Sequence, residues 1–249
     1  MRTQIKPVHV VLSAAIAFVV VAGAWLAVPA AVSVDTSGGS AVDTRSDTML
    51  SKSCKGQDNC VDGWTLTSRL GDMLTFYEDK LGRRNQAYRI LGIEFTTKKR
   101  PLTWYPDFGK GLRDVIVRLT QRARHDRDFA LFQLGHEAFH LIEPIKPNST
   151  GSYFEEGLAS YFAVAYMERI GVRGGAGFIS ESNYLKAYEL VVRLAKQHKD
   201  FFGRLRRLRQ HTRSFSRLTH DDIRAAFPEA PATIARQLAE PFAAVRDIR

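Results

Sequence analysis

The sequence predicts an α+β fold in which a small sheet is followed by a mostly helical lobe. Two observations predict this class. Short segments with alternating, β-branched residues occur at 87–97 and 113–121. Apolar residues at helical spacing dominate from residue 127 onward. With 45% hydrophobic and 25% charged residues in a chain of 249, the composition is that of a globular protein able to bury a core.

The N-terminal region differs in composition from the rest of the chain. Residues 1–30 combine a short basic start with an apolar run at 8–28, which is long enough to cross a bilayer core of about 30 Å. The small residues Val28 and Ala30 suit cleavage after Ala30, so residues 1–30 are either a signal peptide or an uncleaved membrane anchor. Both alternatives predict an extracytoplasmic protein, periplasmic or secreted, and the second adds membrane association through residues 8–28.

A linker and a single domain are predicted after this region. Residues 31–53 are rich in Ser, Thr, Gly and Asp, which predicts a flexible linker. One domain is predicted at 54–249, because no further linker or repeat follows. Cys54 and Cys60, the two cysteines of the chain, predict a small-loop disulfide in an oxidising compartment. The alternative is a metal role, for which two thiols supply half of a zinc site.

The elements of the predicted domain follow a simple order. A helix is predicted at 65–82, and the two strands enclose a turn-rich segment at 101–111. A second helix at 127–143 ends before Pro144, and a third runs from Tyr153 to Gly171. After a loop at 172–182 the remainder is predicted to be mostly helical, at 183–198, in a basic stretch at 201–213, and at 220–226 and 231–245.

Two histidines four residues apart, His136 and His140, carry the first chemical signal. On a helix they project from one face and can bind a single metal ion. Glu137 can reach the open side of such a metal, where it would take a proton from zinc-activated water. The alternative is an ordinary helix that carries two histidines.

A catalytic zinc site needs three protein ligands and one open position. Glu155 and Glu156, in the first turn of the predicted helix that begins at Tyr153, are the candidates for the third ligand. The competing role for either glutamate is to complement the dipole at the start of that helix.

These motifs resemble the gluzincin zinc metallopeptidases, most closely the aminopeptidase N-like family. "HEAFH" followed by "EGLAS" is similar to the catalytic motifs of that family. The resemblance implies His136, His140 and Glu156 as zinc ligands and Glu137 as general base. "YLKAYELVVRLA" is similar to the tyrosine segment of the family and implies that the Tyr184 hydroxyl stabilises the oxyanion. Ordinary helix packing is the alternative for this tyrosine.

The resemblance covers about residues 130–198 and departs from the family in several places. Ala187 replaces the glycine of the tyrosine segment, and the G-x-M-E-N motif that captures a free amino group is missing. Ser160 stands where the thermolysin branch carries Asp, and Lys146 stands where metzincins carry a third histidine. The resemblance therefore implies a compact, thermolysin-like zincin fold and zinc-dependent hydrolysis of peptide bonds, but it does not extend to exopeptidase specificity, so endo- and exopeptidase action both stay open.

Two further features of the sequence, a β-branched segment and several basic runs, each have two possible interpretations. Residues 113–121 either form an edge strand that binds substrate backbone or pack in the core. The basic runs at 98–100, 121–127 and 204–213 lack the interleaved aromatic residues of a nucleic-acid platform. They predict solvated helix faces near an anionic membrane, which also suits the net charge of +10.

The sequence therefore predicts an exported zinc-dependent peptidase that acts on a peptide or protein and does not bind nucleic acid. One alternative is a catalytically inactive zinc-bound scaffold, which would not need Glu137. The other is a basic envelope- or membrane-binding protein with an accidental H-E-x-x-H, which would not explain Glu156.

Overall fold

A computed structural model of the chain describes residues 63–106, 113–144 and 150–242. Its helices and strands in chain order are α1 (Gly63–Leu81), β1 (Arg89–Thr96), β2 (Leu102–Trp104), β3 (Asp114–Thr120), α2 (Arg127–His140), α3 (Tyr153–Arg169), α4 (Ser182–Gln197), α5 (Phe201–Thr212), α6 (His220–Ala226) and α7 (Ala232–Ala239). Short 3-10 turns lie at Gln121–Arg124 and Gly175–Phe178. The predicted segments 1–30 and 31–53, with Cys54 and Cys60, lie outside the described residues. Within the described residues, no helix is long and apolar enough to span a bilayer.

The predicted α+β class is confirmed, because a three-stranded sheet precedes a mostly helical part. The two predicted strands are β1 and β3, and the first four predicted helices are α1 to α4. The predicted helix at 231–245 is too long, because α7 ends at Ala239. Glu240 has an extended backbone with ψ of 143°, as expected for a residue that precedes a proline.

The sheet has the strand order β1–β3–β2, so β3 is central. It pairs in parallel with β1 and antiparallel with β2. Val115, Val117 and Leu119 of β3 are fully buried. The alternative that residues 113–121 form an edge strand is therefore wrong, and their core role is the one observed. The edge strands of the described sheet are β1 and β2. Strand β2 lies in the segment predicted as a turn, and its three residues are too few for an alternating pattern to be recognised.

Short polar caps define where α2 and α3 begin. The Asp126 side chain accepts from the backbone N–H of Phe129 at the start of α2. The Ser152 side chain accepts from the backbone N–H of Glu155 at the start of α3. An isolated bridge between Ser152 and Pro241 also holds this end of α3 against the chain that follows α7. The first turn of α3 is therefore fixed on two sides.

Two glycines allow helices α2, α3 and α4 to approach closely. A Cβ on Gly135 of α2 would lie 3.0 Å from the Cα of Ala163 on α3. A Cβ on Gly157 of α3 would lie 2.4 Å from the carbonyl oxygen of Ala187 on α4, a distance that no side chain tolerates. Each glycine is the sequence neighbour of a predicted metal ligand, so the same close packing sets the positions of those ligands.

Arg209 on α5 ties the ends of two helices together. Its guanidinium donates to three carbonyl oxygens at the C-terminal end of α1 and to two oxygens after α2. These oxygens belong to Leu81, Gly82, Arg83, Ile142 and Glu143. Cations are favourable at helix C-termini, where carbonyl groups lack partners. Arg209 is thus an exception to the solvated helix face predicted at 204–213, because only 10% of its side chain is exposed.

Candidate metal centre

Three predicted ligands come together where α2 ends and α3 begins. His136 and His140 project from one face of α2, and Glu156 from the first turn of α3 faces them. The Nε2 atom of His136 lies 3.1 Å from Oε2 of Glu156 and 3.4 Å from Nε2 of His140. The third distance, from His140 Nε2 to Glu156 Oε2, is 3.7 Å. The group has the size and composition of one that could hold a metal ion.

The donor atoms fit a zinc ion. In a tetrahedral site with bonds of about 2.0–2.1 Å, two ligand atoms are about 3.3–3.4 Å apart. The three observed distances, 3.1, 3.4 and 3.7 Å, lie around this value. Two imidazoles and one carboxylate also form the donor set of a catalytic zinc that keeps its fourth position open. Two histidines with separate packing roles would not direct both Nε2 atoms at the same carboxylate oxygen.

The remaining ring nitrogens have partners that suit this arrangement. Nδ1 of His136 lies 3.4 Å from the Ser160 hydroxyl oxygen, and Nδ1 of His140 donates to Glu155 Oε1 at 3.2 Å. Such contacts fix the ring orientation and leave Nε2 for a metal. Ser160, which lies four residues after Glu156, thus places a hydroxyl beside the ring of His136.

Glu155, the other candidate third ligand, makes a contact that the sequence did not predict. Its side chain is only 4% exposed and lies behind His140, and it also lies in the first turn of α3, where an acidic residue complements the helix dipole. Its Oε2 atom is buried and has no hydrogen-bond partner among the described residues. A carboxylate in this position orients the imidazole and raises its basicity. The two adjacent glutamates therefore separate, with Glu156 facing both histidines and Glu155 supporting one of them.

Glu137 lies between the two histidines in sequence and is 5% exposed. The Thr103 hydroxyl, from the edge strand β2, donates to its Oε2 at 3.0 Å. Burial raises the pKa of the Glu137 carboxyl, while the charges of His140 and His136 and the Thr103 hydrogen bond offset part of that rise. A carboxylate whose pKa is raised toward neutrality is a better general base and can also return the proton.

His140 and Glu156 shift each other's pKa in opposite directions. Burial lowers the pKa of His140, but the charges of Glu156 and Glu155 outweigh it and hold that pKa well above its usual value. Burial raises the pKa of Glu156, but the charges of His140 and His136 outweigh it and hold that pKa far below its usual value. Without a metal the cluster therefore holds a proton, and metal binding has to displace it.

Tyr184, in the first turn of α4, lies beside the histidines. Its ring centroid is 5.6 Å from that of His136 and 4.6 Å from that of Phe242. Burial raises the pKa of Tyr184 far above its usual value, and the charges of Glu156 and Glu137 add to the rise. The phenol therefore keeps its proton and can act as a hydrogen-bond donor. It also packs against Phe242, so the packing role is observed, and the oxyanion role of the hydroxyl stays a prediction.

Sequence reasoning missed three residues near this centre. Thr103 and Tyr105 lie in the segment predicted as a turn, and Phe178 lies in the predicted loop at 172–182. Burial raises the pKa of Tyr105, and Glu137 is among the nearby charges that add to that rise. The one available signal was weak: Thr103 is a β-branched residue between two apolar neighbours, which is typical of a short strand.

The predicted catalytic residues line one cleft. His136, Glu137 and Tyr184 all contribute to its wall. The group of two imidazoles and a facing carboxylate meets this cleft at His136, and the buried carboxylate of Glu137 lies in the cleft wall, which makes the group a candidate catalytic metal centre of the H-E-x-x-H type. Comparisons of the chain with models of protein families, with curated proteins and with solved structures gave no match.

Proposed function

We propose that this protein is an exported, zinc-dependent peptidase with a compact catalytic domain of the gluzincin type. The observation that carries the proposal is the convergence of donor atoms from His136, His140 and Glu156 beside the buried Glu137. The exported location is proposed from the apolar run at 8–28 and from the paired cysteines of the sequence.

The order of the elements supports the gluzincin resemblance. A small sheet with an antiparallel edge strand precedes two helices, the first with H-E-x-x-H and the second with the third ligand. The Thr103 hydrogen bond brings β2 to the catalytic glutamate. In this proposal the substrate backbone therefore adds to β2, whose outer edge pairs with no other strand among the described residues.

The side chains around the centre can divide the work of peptide hydrolysis. A zinc ion bound by the three ligands would supply a Lewis acid that polarises the carbonyl group and lowers the pKa of water. Glu137 accepts a proton from the water that attacks the carbonyl carbon, and it transfers a proton to the amide nitrogen as the C–N bond breaks. Thr103 holds the Glu137 carboxylate in one orientation. Tyr184 donates to the carbonyl oxygen as negative charge develops there.

Zinc content and peptide cleavage, measured together on the full-length chain, test the proposal. We expect one zinc ion per chain, cleavage of a mixed peptide library, loss of cleavage after treatment with a chelator, and recovery when zinc is added back. Absence of zinc would contradict the peptidase and the zinc-bound scaffold together. One zinc per chain without cleavage of any peptide would favour the scaffold.

The oxyanion role is tested by the substitution Tyr184→Phe. Removal of one donor to an oxyanion costs about 10²–10³-fold in kcat, and we expect a loss in this range. Zinc content should not change, because the phenol is not a ligand. Tyr105→Phe is the matched comparison, since both phenols lie near Glu137. A large loss of kcat in the Tyr105 variant with none in the Tyr184 variant would move the oxyanion role to Tyr105.

A further inference from the structure

Helix α5 and the residues beside it form a strongly basic part of the chain. Residues 199–213 include six lysines and arginines and a single acidic residue. Leu205 and Leu208 are buried in the core, whereas Arg206 and Arg207, which lie between them in sequence, are exposed. The helix therefore packs through its leucines and presents these arginines to solvent.

The end of α1 extends this basic surface. Arg209 of α5 donates to the carbonyl oxygen of Arg83 at 3.0 Å, so the exposed Arg83 lies beside the last turn of α5. Arg213, the residue that follows α5, is exposed as well. These four exposed arginines are termed the α5 basic face: Arg83, Arg206, Arg207 and Arg213.

Acidic groups neutralise little of the charge on the α5 basic face. Arg206 donates to the backbone carbonyl oxygen of Asp79, a group without formal charge. Arg207 pairs with Asp200 at 2.7 Å, but the two side chains are 65% and 61% exposed, and an exposed pair of this kind contributes little. The guanidinium groups therefore remain able to bind an anion from solution.

The other two basic runs of the sequence, before β2 and before α2, are engaged in contacts within the fold. In the first, Arg100 donates to both carboxylate oxygens of Glu181, each at 2.8 Å. In the second, the guanidinium of Arg122 lies 4.3 Å from the ring centroid of Phe129. Of the three runs, the one on α5 thus offers the most accessible group of positive charges.

We propose that the α5 basic face docks the domain on the surface of a bilayer that contains anionic phospholipids. The ligands are headgroup phosphates, which a guanidinium matches with two parallel N–H donors. The apolar run at 8–28, which predicts a signal peptide or a membrane anchor, favours a bilayer as the anionic partner. Nucleic acid is the rival polyanion, but no Phe, Tyr or Trp on which bases could stack lies between Arg206 and Arg213.

Docking through this face goes beyond the proposed peptidase function and does not depend on it. Among the described residues, none that lines the cleft at the metal centre belongs to α1 or α5, so a docked domain keeps the cleft open to substrate. The large apolar side chains that are exposed in the described part of the chain, Leu91 and Leu185, lie on β1 and α4. The attraction is therefore electrostatic, and it should weaken as the screening length falls from about 8 Å at 0.15 M salt to about 3 Å at 1 M.

Labelling of arginine side chains on the full-length protein tests the docking. The probes are vesicles of phosphatidylcholine alone and vesicles of phosphatidylcholine mixed with an equal amount of phosphatidylglycerol, so that any insertion of the apolar run is common to both. A dicarbonyl reagent modifies exposed arginines, and mass spectrometry measures the extent at each site. We expect the anionic vesicles to slow labelling of the α5 basic face several-fold and to leave Arg173 and Arg236, exposed on other parts of the surface, unchanged. High salt should remove the protection.

A double variant, Arg207→Gln with Arg213→Gln, tests the contribution of the face to binding. One basic residue near an anionic surface changes partitioning by about 5-fold, so the ratio of the partition constants for anionic and neutral vesicles should fall by about 30-fold. Arg173→Gln with Arg236→Gln is the matched control, because it removes the same charge from exposed positions elsewhere. The control should keep the ratio within a few-fold.

Three results would overturn the docking face. The first is equal labelling of its arginines on the two kinds of vesicle. The second is an equal loss in the two double variants, which would mean that net charge and not this face drives the binding. The third is protection of the face by duplex DNA at a salt concentration at which anionic vesicles give none, which would assign the face to nucleic acid.

Discussion

Glu137→Gln is expected to lower the kcat of peptide cleavage by about 10²–10⁴-fold, the usual contribution of a general base. Glutamine has the same size and can still accept the Thr103 hydrogen bond through its side-chain oxygen, but it cannot take a proton from water. Zinc content and thermal stability should remain close to those of the wild type. The measurements are kcat with a fluorogenic peptide and zinc by elemental analysis of the same protein sample.

The matched control for this experiment is Glu189→Gln. Glu189 is an exposed residue of α4 that undergoes the same chemical change far from any assigned role. Its kcat should equal that of the wild type. If Glu137→Gln cleaves at the wild-type rate, Glu137 is not the general base. If instead the variant loses its zinc, the effect of Glu137 is on the metal centre and not on proton transfer.

Glu156→Gln is expected to have the largest effect on metal binding. The substitution removes the anionic ligand and leaves two buried imidazoles without the carboxylate that faces them at 3.1 and 3.7 Å. Zinc affinity should fall by more than the ~10–100-fold that is typical for loss of an outer-shell partner. Glu155→Gln should lower zinc affinity within that range of ~10–100-fold, because Glu155 contacts His140 and does not face the predicted metal position between His136, His140 and Glu156. Competition with a chelator of known affinity measures both values.

Thermal denaturation provides an independent measure of the same difference. Zinc at about 1,000 times its Kd stabilises a folded protein by about 4 kcal/mol, which corresponds to roughly 8–16 °C in Tm for a domain of about 150–250 residues. At the same zinc concentration a 100-fold weaker site should retain only about 3–6 °C of this shift. Equal losses in the two glutamine variants would mean that both glutamates bind the metal. A larger loss for Glu155→Gln would reverse the assignment.

The sequence was sufficient for those features that depend on local periodicity. Helical spacing of apolar residues located α1 to α4, and the four-residue separation placed His136 and His140 on one helix face. Local periodicity could not decide whether Glu155 or Glu156 is the third ligand, because adjacent residues on a helix point about 100° apart. Which of them faces the histidines depends on where α3 begins, at its Ser152 cap, and on how α3 crosses α2. The resemblance to a known motif supplied that choice, and local physics alone did not.

Other parts of the site depend on contacts that no local pattern encodes. The role of β3 could not be assigned, because a buried strand has the same composition at the centre and at the edge of a sheet. Thr103 reaches Glu137 only through the pairing of β2 with β3. The ring of Phe178 lies 5.9 Å from that of Phe129 and 6.1 Å from that of Phe132 because a glycine-rich segment folds back onto α2, and nothing in that segment specifies its partner.

The close approach of α2, α3 and α4 at Gly135 and Gly157 has a genetic consequence. In a scan of all single substitutions scored by activity, these two positions should tolerate as few replacements as the metal ligands themselves. Neither residue has a side chain with which to bind zinc or substrate, and even alanine at position 157 would collide with a backbone carbonyl 2.4 Å away. The positions that tolerate few substitutions should therefore include the two glycines that allow the helices to pack closely, and not only the residues that bind the metal.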